Sequence, residues 1–89
     1  MGSNPSLMYY VYIVRCADDT LYTGLTTDLI RRLAEHNSSV RGAKYTRSRR
    51  PVTLVYSEEF SDRATASAAE FQIKKLPRTA KLRLFALKK

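Results

Sequence analysis

Apolar side chains follow two rhythms along the chain, one typical of strands and one typical of helices. The segment Tyr9–Arg15 is almost entirely β-branched and aromatic, which indicates a strand buried on both faces. A turn signal at residues 17–19 leads into a second short strand at residues 20–25. Because strands so close in sequence pair as an antiparallel hairpin, we expect both in one sheet, with the first strand at its centre.

The spacing of apolar residues then changes to that of a helix. Residues 28–37 carry an apolar stripe at helical spacing: Leu29, Ile30, Leu33 and Ala34. Thr26 and Thr27 are the N-cap candidates of this helix, and Asp28 places a negative charge in its first turn. The polar residues 37–39 end the helix.

A long basic loop separates this helix from a third predicted strand at residues 52–57. The loop spans residues 38–50 and surrounds Tyr45 with five basic side chains: Arg41, Lys44, Arg47, Arg49 and Arg50. Pro51 opens the strand, a position at which proline is tolerated.

Two further helices complete the predicted fold. Ser61 is the cap candidate of a helix at residues 62–76, whose core-facing positions are Ala66, Ala69, Ile73 and Leu76. Pro77 ends that helix, and a last helix covers residues 79–87. The order β-β-α-β-α-α predicts an α+β fold, a small three-stranded antiparallel sheet flanked by helices, as one domain over residues 9–89.

The net charge of the chain is +8 and is spread along its length, which favours nucleic acid as a partner. No apolar run approaches the roughly 18 residues of a membrane span, so we expect no contact with a membrane interior. Residues 1–8 have neither the basic region nor the apolar region of a signal peptide. We expect a disordered lead-in or a cloning remnant there.

Metal-ligating and redox side chains are scarce, since Cys16 is the only cysteine and His36 the only histidine. An intramolecular disulfide is therefore impossible, and a zinc site built from these residue types is nearly excluded, because it needs three or four of them. We expect Cys16 to be an idle, buried thiol. This usage fits a cytoplasmic location.

The predicted hairpin groups aromatic side chains. If it turns about Ala17, Tyr12 lies opposite Tyr22. Tyr10 then lies opposite Gly24, and alternation puts all four residues on one face of the sheet. Two adjacent phenols are consistent with ordinary cross-strand packing or with a chemical site. A glycine weakens a strand unless something approaches its backbone closely.

The helices add charged groups. Asp28, Arg32 and His36 recur every fourth residue and share one helix stripe. This stripe is either a solvated ladder with Asp28 paired to Arg32, or a phosphate site in which arginine is a planar donor. Glu70 precedes Lys74 by four residues, so it forms either a surface ion pair or a ligand for a hard cation such as Mg²⁺.

The two strands resemble the paired motifs of the GIY-YIG nucleases. The tripeptide YVY at residues 10–12, followed by YTG at residues 22–24, matches those motifs in spacing. Tyr10 stands where the family name has Gly, and Thr23 where it has Ile. The continuation YTGLTTDLIRRLAEHN resembles the family's strand, turn and helix, whose arginine falls on Arg32. The segment AAEFQIKKLPR resembles the helix with the family's metal-binding glutamate, which falls on Glu70.

By this resemblance, which is closest to the small stand-alone bacterial branch, Tyr12 accepts or relays the proton of the attacking water. Tyr22 orients water or phosphate, Arg32 stabilises the phosphate charge, and His36 assists as a base or phosphate contact. One ion, Mg²⁺ or Mn²⁺, is implied on Glu70, and Gly24 has a structural role at the site. We expect phosphate contacts from a set of basic side chains: Arg41, Lys44, Arg47, Arg49, Arg50, Lys74 and Lys75.

The resemblance implies a metal-dependent endonuclease acting on DNA more than on RNA, structured or branched DNA included. DNA-repair incision subunits, homing endonucleases and structure-specific endonucleases carry the same domain. Target selection is expected to come from the core or from a protein partner, in the bacterial cytoplasm and at its nucleoid. Two alternatives stay open: a non-catalytic or weakly active nucleic-acid-binding module of this fold, and a basic RNA-binding or ribosome-associated protein.

Overall fold

In the computed structural model, which describes residues 8–38 and 41–88 and side chains as far as residue 85, helices pack on both faces of one sheet. The elements in chain order are β1 (Tyr9–Arg15), β2 (Leu21–Thr26), α1 (Leu29–Ser38), α2 (Lys44–Arg47), β3 (Thr53–Phe60), α3 (Arg63–Lys74) and α4 (Arg78–Lys88). The predicted α+β class is confirmed. Of the expected lead-in at residues 1–8, all but Met8 lies outside the described residues. Within the described part, no helix is long and apolar enough to cross a membrane.

β1 is the central strand of an antiparallel sheet in the order β2-β1-β3. Its residues 11–14 are all buried, although alternate side chains point to opposite faces of the sheet. The central position predicted from this two-faced apolar character is therefore confirmed.

The predicted register of the hairpin is wrong by two residues. Tyr12 lies opposite Gly24, Val14 opposite Tyr22, and Tyr10 opposite Thr26. The reason is that the turn is centred on Asp18 and not on Ala17, since the N–H of Cys16 donates to the carbonyl of Thr20 at 2.8 Å. Moving the centre by one residue moves every pairing by two. Because an even shift keeps every side chain on its face, the tyrosines still share one side of the sheet.

Each face of the sheet carries its own core. The first core combines side chains of β1, β3 and α3: Val11, Ile13, Tyr56, Ala66 and Ile73. The second joins β1 to residues of the adjoining loops: Tyr12, Val14, Cys16 and Val52. Cys16 is the buried free thiol that the sequence predicted, and burial raises its pKa. The candidate chemistry belongs to the second core, since Tyr12 is part of it.

An aspartate caps the start of α1 and another caps the start of α3, which corrects the predicted threonine and serine caps. Asp28 precedes α1 and its Oδ1 accepts from the N–H of Arg31 at 3.0 Å. Asp62 precedes α3 and its Oδ1 accepts from the N–H of Thr65 at 2.8 Å. Aspartate combines the side-chain acceptor of a cap with a negative charge near the positive end of the helix dipole.

The buried stripe of α1 also differs from the prediction. Leu29 and Leu33 pack against the second core, but Ile30 is 86% exposed. Ala34 is exposed, whereas His36 is completely buried. The inward-facing positions 29, 33 and 36 follow the helical repeat, so a histidine takes the place in the stripe that an apolar residue was expected to fill.

The predicted loop at residues 38–50 contains a short helix, α2, which the sequence analysis missed. Thr46 lies on this single turn and is completely buried. The observed element order is therefore β-β-α-α-β-α-α. A helix of one turn has no periodic signal, and its basic side chains favoured a loop.

Candidate active site

The centre of the site is a buried pair formed by Tyr12 of β1 and His36 of α1. Tyr12 Oη lies 2.7 Å from His36 Nε2, with the two rings edge to face at 5.8 Å. The phenol is 2% exposed and the imidazole 0%. The pair forms because only residues 27–28 link β2 to α1, so the helix folds directly over the face that carries Tyr12.

Tyr22 contacts the other side of this site. Its ring packs edge to face on His36 at 5.4 Å and stacks on Tyr45 at 5.9 Å. The guanidinium of Arg49 lies 3.9 Å from the centroid of the Tyr45 ring. The two motif tyrosines thus both pack against His36, whereas the predicted register had placed them directly opposite each other.

Arg32 is held by groups of its own helix and of the basic loop. Its Nη1 donates to Glu35 Oε1 at 2.9 Å and to the carbonyl of Arg41 at 2.8 Å, and the guanidinium lowers the pKa of the Tyr12 phenol. The suggested pair between Asp28 and Arg32 is not formed, since Asp28 caps the helix. Arg32 is thereby preorganised beside the Tyr12 hydroxyl.

Burial sets the protonation of the central pair. It raises the pKa of Tyr12 to about 12; the nearby guanidinium of Arg32 opposes this, and the charges of Tyr22 and Glu70 add to it. Burial also lowers the pKa of His36 to about 4, helped by the charge of Arg32. Both groups are therefore neutral at pH 7.

Glu70 lies on α3, and its charge raises the pKa of Tyr12. Its side chain is 22% exposed and its Oε2 lies 3.3 Å from Lys74 Nζ, so the predicted surface ion pair is present. Within residues 8–38 and 41–88, no three His, Cys, Asp or Glu side chains come together. A partly exposed carboxylate still fits Mg²⁺, which commonly takes one or two protein carboxylates and keeps its waters.

Gly24 provides the space for the phenol of Tyr12. A Cβ built on Gly24 would lie 2.5 Å from Tyr12 Cζ and closer still to Oη. The close approach that a glycine inside a strand suggests is therefore that of the tyrosine directly opposite.

The basic side chains divide into two kinds. Arg49 Nε donates to Asp18 Oδ2 at 3.0 Å, and Arg50 Nε donates to the carbonyl of His36 at 2.5 Å, so both hold the basic loop in place. The others are exposed on the loop, on α2 or at the end of α3: Arg41, Lys44, Arg47, Lys74 and Lys75. Their contacts with phosphate stay a prediction.

Sequence reasoning missed two residues of the site, Glu35 and Thr46. Glu35 pairs with Arg32, and Thr46 Oγ1 lies 2.8 Å from His36 Nδ1. The fully buried hydroxyl of Thr46 reaches the imidazole from a different element, and no local pattern signals such a contact. The catalytic roles of Tyr12, Tyr22, Arg32 and His36, and metal binding by Glu70, likewise stay predictions.

Comparison with known proteins gives consistent matches over most of the chain. A UPF0213 protein of Desulfotalea psychrophila is 62% identical over 73 residues, which are 82% of this chain and 66% of that relative. A UPF0213 protein of Staphylococcus haemolyticus is 51% identical over 76 residues, which are 85% of this chain and 92% of that relative. The chain thus spans just under two thirds of the first relative.

Solved structures agree in fold. The solution NMR structure of a UPF0213 protein from Bacillus halodurans has 44% identity and a TM-score of 0.60, covering 92% of this chain and 86% of that chain. The solution NMR structure of a protein from E. faecalis has 40% identity and a TM-score of 0.62, covering 96% and 93%.

The family model of the GIY-YIG catalytic domain matches residues 8–83, which include every residue of the candidate site. Members of this family are typically nucleases, with nucleic acid as substrate and a general dependence on divalent metal. The chain therefore belongs to the GIY-YIG family.

Proposed function

We propose that this chain is an endonuclease that hydrolyses phosphodiester bonds in DNA, including structured or branched DNA, with one divalent ion. One observation carries the proposal: the buried hydroxyl of Tyr12 lies 2.7 Å from the imidazole of His36, and the guanidinium of Arg32 lowers the pKa of the same phenol. A phenol that only fills a core has no need of a proton acceptor on its oxygen or of a cation acting on it.

Hydrolysis of a phosphodiester needs an activated water and stabilisation of the charge that develops at phosphorus. Tyr12 is proposed to take the proton of the attacking water and to pass its own proton to His36. Arg32 supplies planar donors to the phosphate oxygens and is already oriented by Glu35. Tyr22 orients the water or the phosphate beside His36.

Glu70 is proposed to hold the ion, either Mg²⁺ or Mn²⁺. A bound divalent ion supplies charge stabilisation at the leaving oxygen. The ion pair of Glu70 with Lys74 gives the carboxylate a resting partner when no ion is bound.

DNA is proposed to bind through the exposed basic side chains of the loop, α2 and α3. Phosphate contacts of this kind carry little sequence information, so a protein partner is proposed to supply target choice. The setting is proposed to be the bacterial cytoplasm, at the nucleoid.

A second candidate is a nucleic-acid-binding module of the same fold without useful turnover. The pKa of Tyr12 favours it, because burial raises that pKa to about 12 and makes the phenol a weak base. Binding without metal-dependent cleavage distinguishes this candidate from the nuclease.

The test is incubation with end-labelled branched, nicked and single-stranded DNA in the presence of Mg²⁺ or Mn²⁺. Glu70→Ala is expected to bind DNA nearly as the parent does and to cut it far more slowly. Glu59→Ala is the matched control, because it removes an exposed carboxylate of β3 that has no proposed role. Arg32→Ala is expected to lose about 10²- to 10³-fold in rate, whereas Arg31→Ala on the same helix keeps it.

Two results would contradict the proposal. If the parent protein binds these DNAs but cuts none of them with either ion, the binding module is the correct function. If Glu70→Ala cuts at the parent rate, the assignment of the metal ligand is wrong even for an active nuclease.

A further inference from the structure

The hydroxyl of Thr46 is the last group in a chain of buried hydrogen bonds that runs from Tyr12 through His36. Thr46 is 0% exposed, and its Oγ1 lies 2.8 Å from His36 Nδ1 and 2.9 Å from the carbonyl oxygen of Ala43. The opposite nitrogen of the same imidazole, Nε2, lies 2.7 Å from Tyr12 Oη. Both ring nitrogens of His36 therefore have a hydroxyl partner.

The Tyr12 end of this chain indicates which nitrogen carries the proton. Within the described residues, the hydroxyl of Tyr12 has one hydrogen-bond partner, His36 Nε2 at 2.7 Å. If Nε2 carried the proton, the buried hydrogen of the Tyr12 hydroxyl would find no acceptor there. The Tyr12 hydroxyl therefore donates to Nε2, which must be unprotonated.

The Thr46 end agrees with this assignment. A neutral imidazole with a bare Nε2 carries its proton on Nδ1, which then donates to Thr46 Oγ1. The threonine hydroxyl keeps its hydrogen for the carbonyl of Ala43, which can only accept. The N–H of Ala43 also approaches Nδ1 within hydrogen-bond distance, at 3.4 Å, but this contact is longer and weaker than the 2.8 Å contact with Thr46 Oγ1, so Nδ1 keeps its proton.

We infer that Thr46 is a positioning residue that fixes His36 in the tautomer with the proton on Nδ1, and so keeps Nε2 free to accept the proton of Tyr12. The tautomer follows from the contacts alone, whereas its use in catalysis rests on the proposed function. In the step concerned, an O–H bond of the attacking water breaks and its proton moves to Tyr12 Oη. The Tyr12 O–H bond breaks in turn, its proton moves to Nε2, and the hydroxide so formed attacks phosphorus. The bond from phosphorus to the leaving oxygen breaks, and that oxygen departs as an alkoxide that takes a proton from solvent.

Thr46 also stabilises the product of that transfer. When Nε2 gains the proton, the imidazole becomes a cation whose Nδ1–H remains directed at Thr46 Oγ1. A hydrogen bond from a charged donor is about twice as strong as one between neutral groups, so the contact strengthens as the proton arrives. Without the hydroxyl, the ring loses both its fixed orientation and this support.

The test uses NMR at pH 7 on the full chain with ¹⁵N in the imidazole ring, where the single histidine makes the signals unambiguous. The parent protein is expected to show a protonated Nδ1 and an unprotonated Nε2. Thr46→Val keeps the shape of the side chain but removes the acceptor, so we expect a mixture of tautomers or a proton on Nε2. Thr46→Ser restores the hydroxyl and is expected to restore the parent spectrum.

Cleavage kinetics supply the second measurement. Thr46→Val is expected to lower kcat by about 10- to 100-fold with little change in KM, as for other partners that orient a histidine. Thr46→Ser is expected to recover most of the rate. Thr53→Val, on an exposed threonine of β3, is the matched control and is expected to change neither rate nor spectrum.

A proton on Nε2 in the parent protein would overturn the inference, and so would a Thr46→Val protein with the parent tautomer and parent rate. Should Thr46→Val fail to fold, the parent and Thr46→Ser spectra still decide the tautomer and the need for a hydroxyl. If the spectra are as expected but the parent protein cuts no DNA, the proposed function fails while the assigned tautomer stands.

Discussion

Gly24 and Tyr12 face each other across the β1–β2 hairpin, and the phenol of Tyr12 occupies the volume that a side chain on Gly24 would need. The ring reaches His36 from this position. Because Gly24 has no Cβ, the phenol of Tyr12 can lie across it, and this determines where the Tyr12 hydroxyl is found.

Gly24→Ala is expected to displace the phenol of Tyr12 and break its hydrogen bond to His36. The added Cβ would lie 2.5 Å from Tyr12 Cζ, so the ring must move. We expect a loss of about 1 to 3 kcal/mol in the free energy of unfolding, the usual cost of overpacking, measured by urea denaturation. The rate of DNA cleavage should also fall, because the hydrogen bond from Tyr12 to His36 is lost.

A double-mutant cycle tests the cause of that loss. In a Tyr12→Ala background the ring is absent, so Gly24→Ala should cost much less than in the parent protein. Equal costs in the two backgrounds would show that strand conformation, and not the phenol, disfavours alanine at this position.

Thr23→Val is expected to stabilise the protein. Thr23 is 4% exposed, and its Oγ1 has no hydrogen-bond partner among the residues that the structure describes. Valine has the same shape and removes the buried hydroxyl, which should raise the free energy of unfolding by about 1 kcal/mol. Thermal denaturation measures the effect as a Tm higher by roughly 4 to 8 °C. Thr23→Ser, which keeps the hydroxyl and loses the methyl group, should lower the Tm.

Acidification is expected to destabilise the fold through His36. Its pKa is lowered from 6.5 to about 4 by burial, so the folded protein resists a proton that the unfolded chain accepts. The resulting stability is fully present above pH 6.5 and is lost as the pH falls towards 4, by on the order of 2 to 3 kcal/mol. Urea denaturation at a series of pH values measures this slope.

The single histidine allows a direct control for this prediction. An NMR titration of the His36 ring in the folded protein should show no protonation until the pH is well below 6. Titration of the folded ring near 6.5 would contradict the burial effect, and the loss of stability would then belong to carboxylates.

Arg47 and Arg49 are expected to behave differently although they are neighbours in the basic loop. Arg47 is exposed, so Arg47→Ala should reduce the slope of log K against log salt for B-DNA by about 0.9 and leave the Tm unchanged. Arg49 holds Asp18 and covers Tyr45, so Arg49→Ala should lower stability by about 1 kcal/mol. Equal Tm values for the two variants would show that the contacts of Arg49 contribute no stability.

The strands, the longer helices and their order were predictable because each depends on neighbouring residues. The run Tyr9–Arg15 is apolar on both faces, and this alone predicts a central strand. Alternation also placed Tyr12, Tyr22 and Gly24 on one face, and this survived a wrong register because the error was even. Glu70 needed the family resemblance, since its spacing to Lys74 predicts only the ion pair that is present.

Tertiary structure decided the contacts between these elements. The hydrogen bonds of the turn at residues 16–20 set the register of the hairpin, which local propensity does not specify. Asp28 caps α1, and Arg32 therefore pairs with Glu35 and not with Asp28. Which carboxylate pairs with Arg32 thus depends on where the helix begins. His36 is buried because α1 folds over the sheet, and Thr46 reaches it from α2, ten positions further along the chain. Periodicity encodes which face a residue occupies, whereas the partner on that face depends on how distant segments pack.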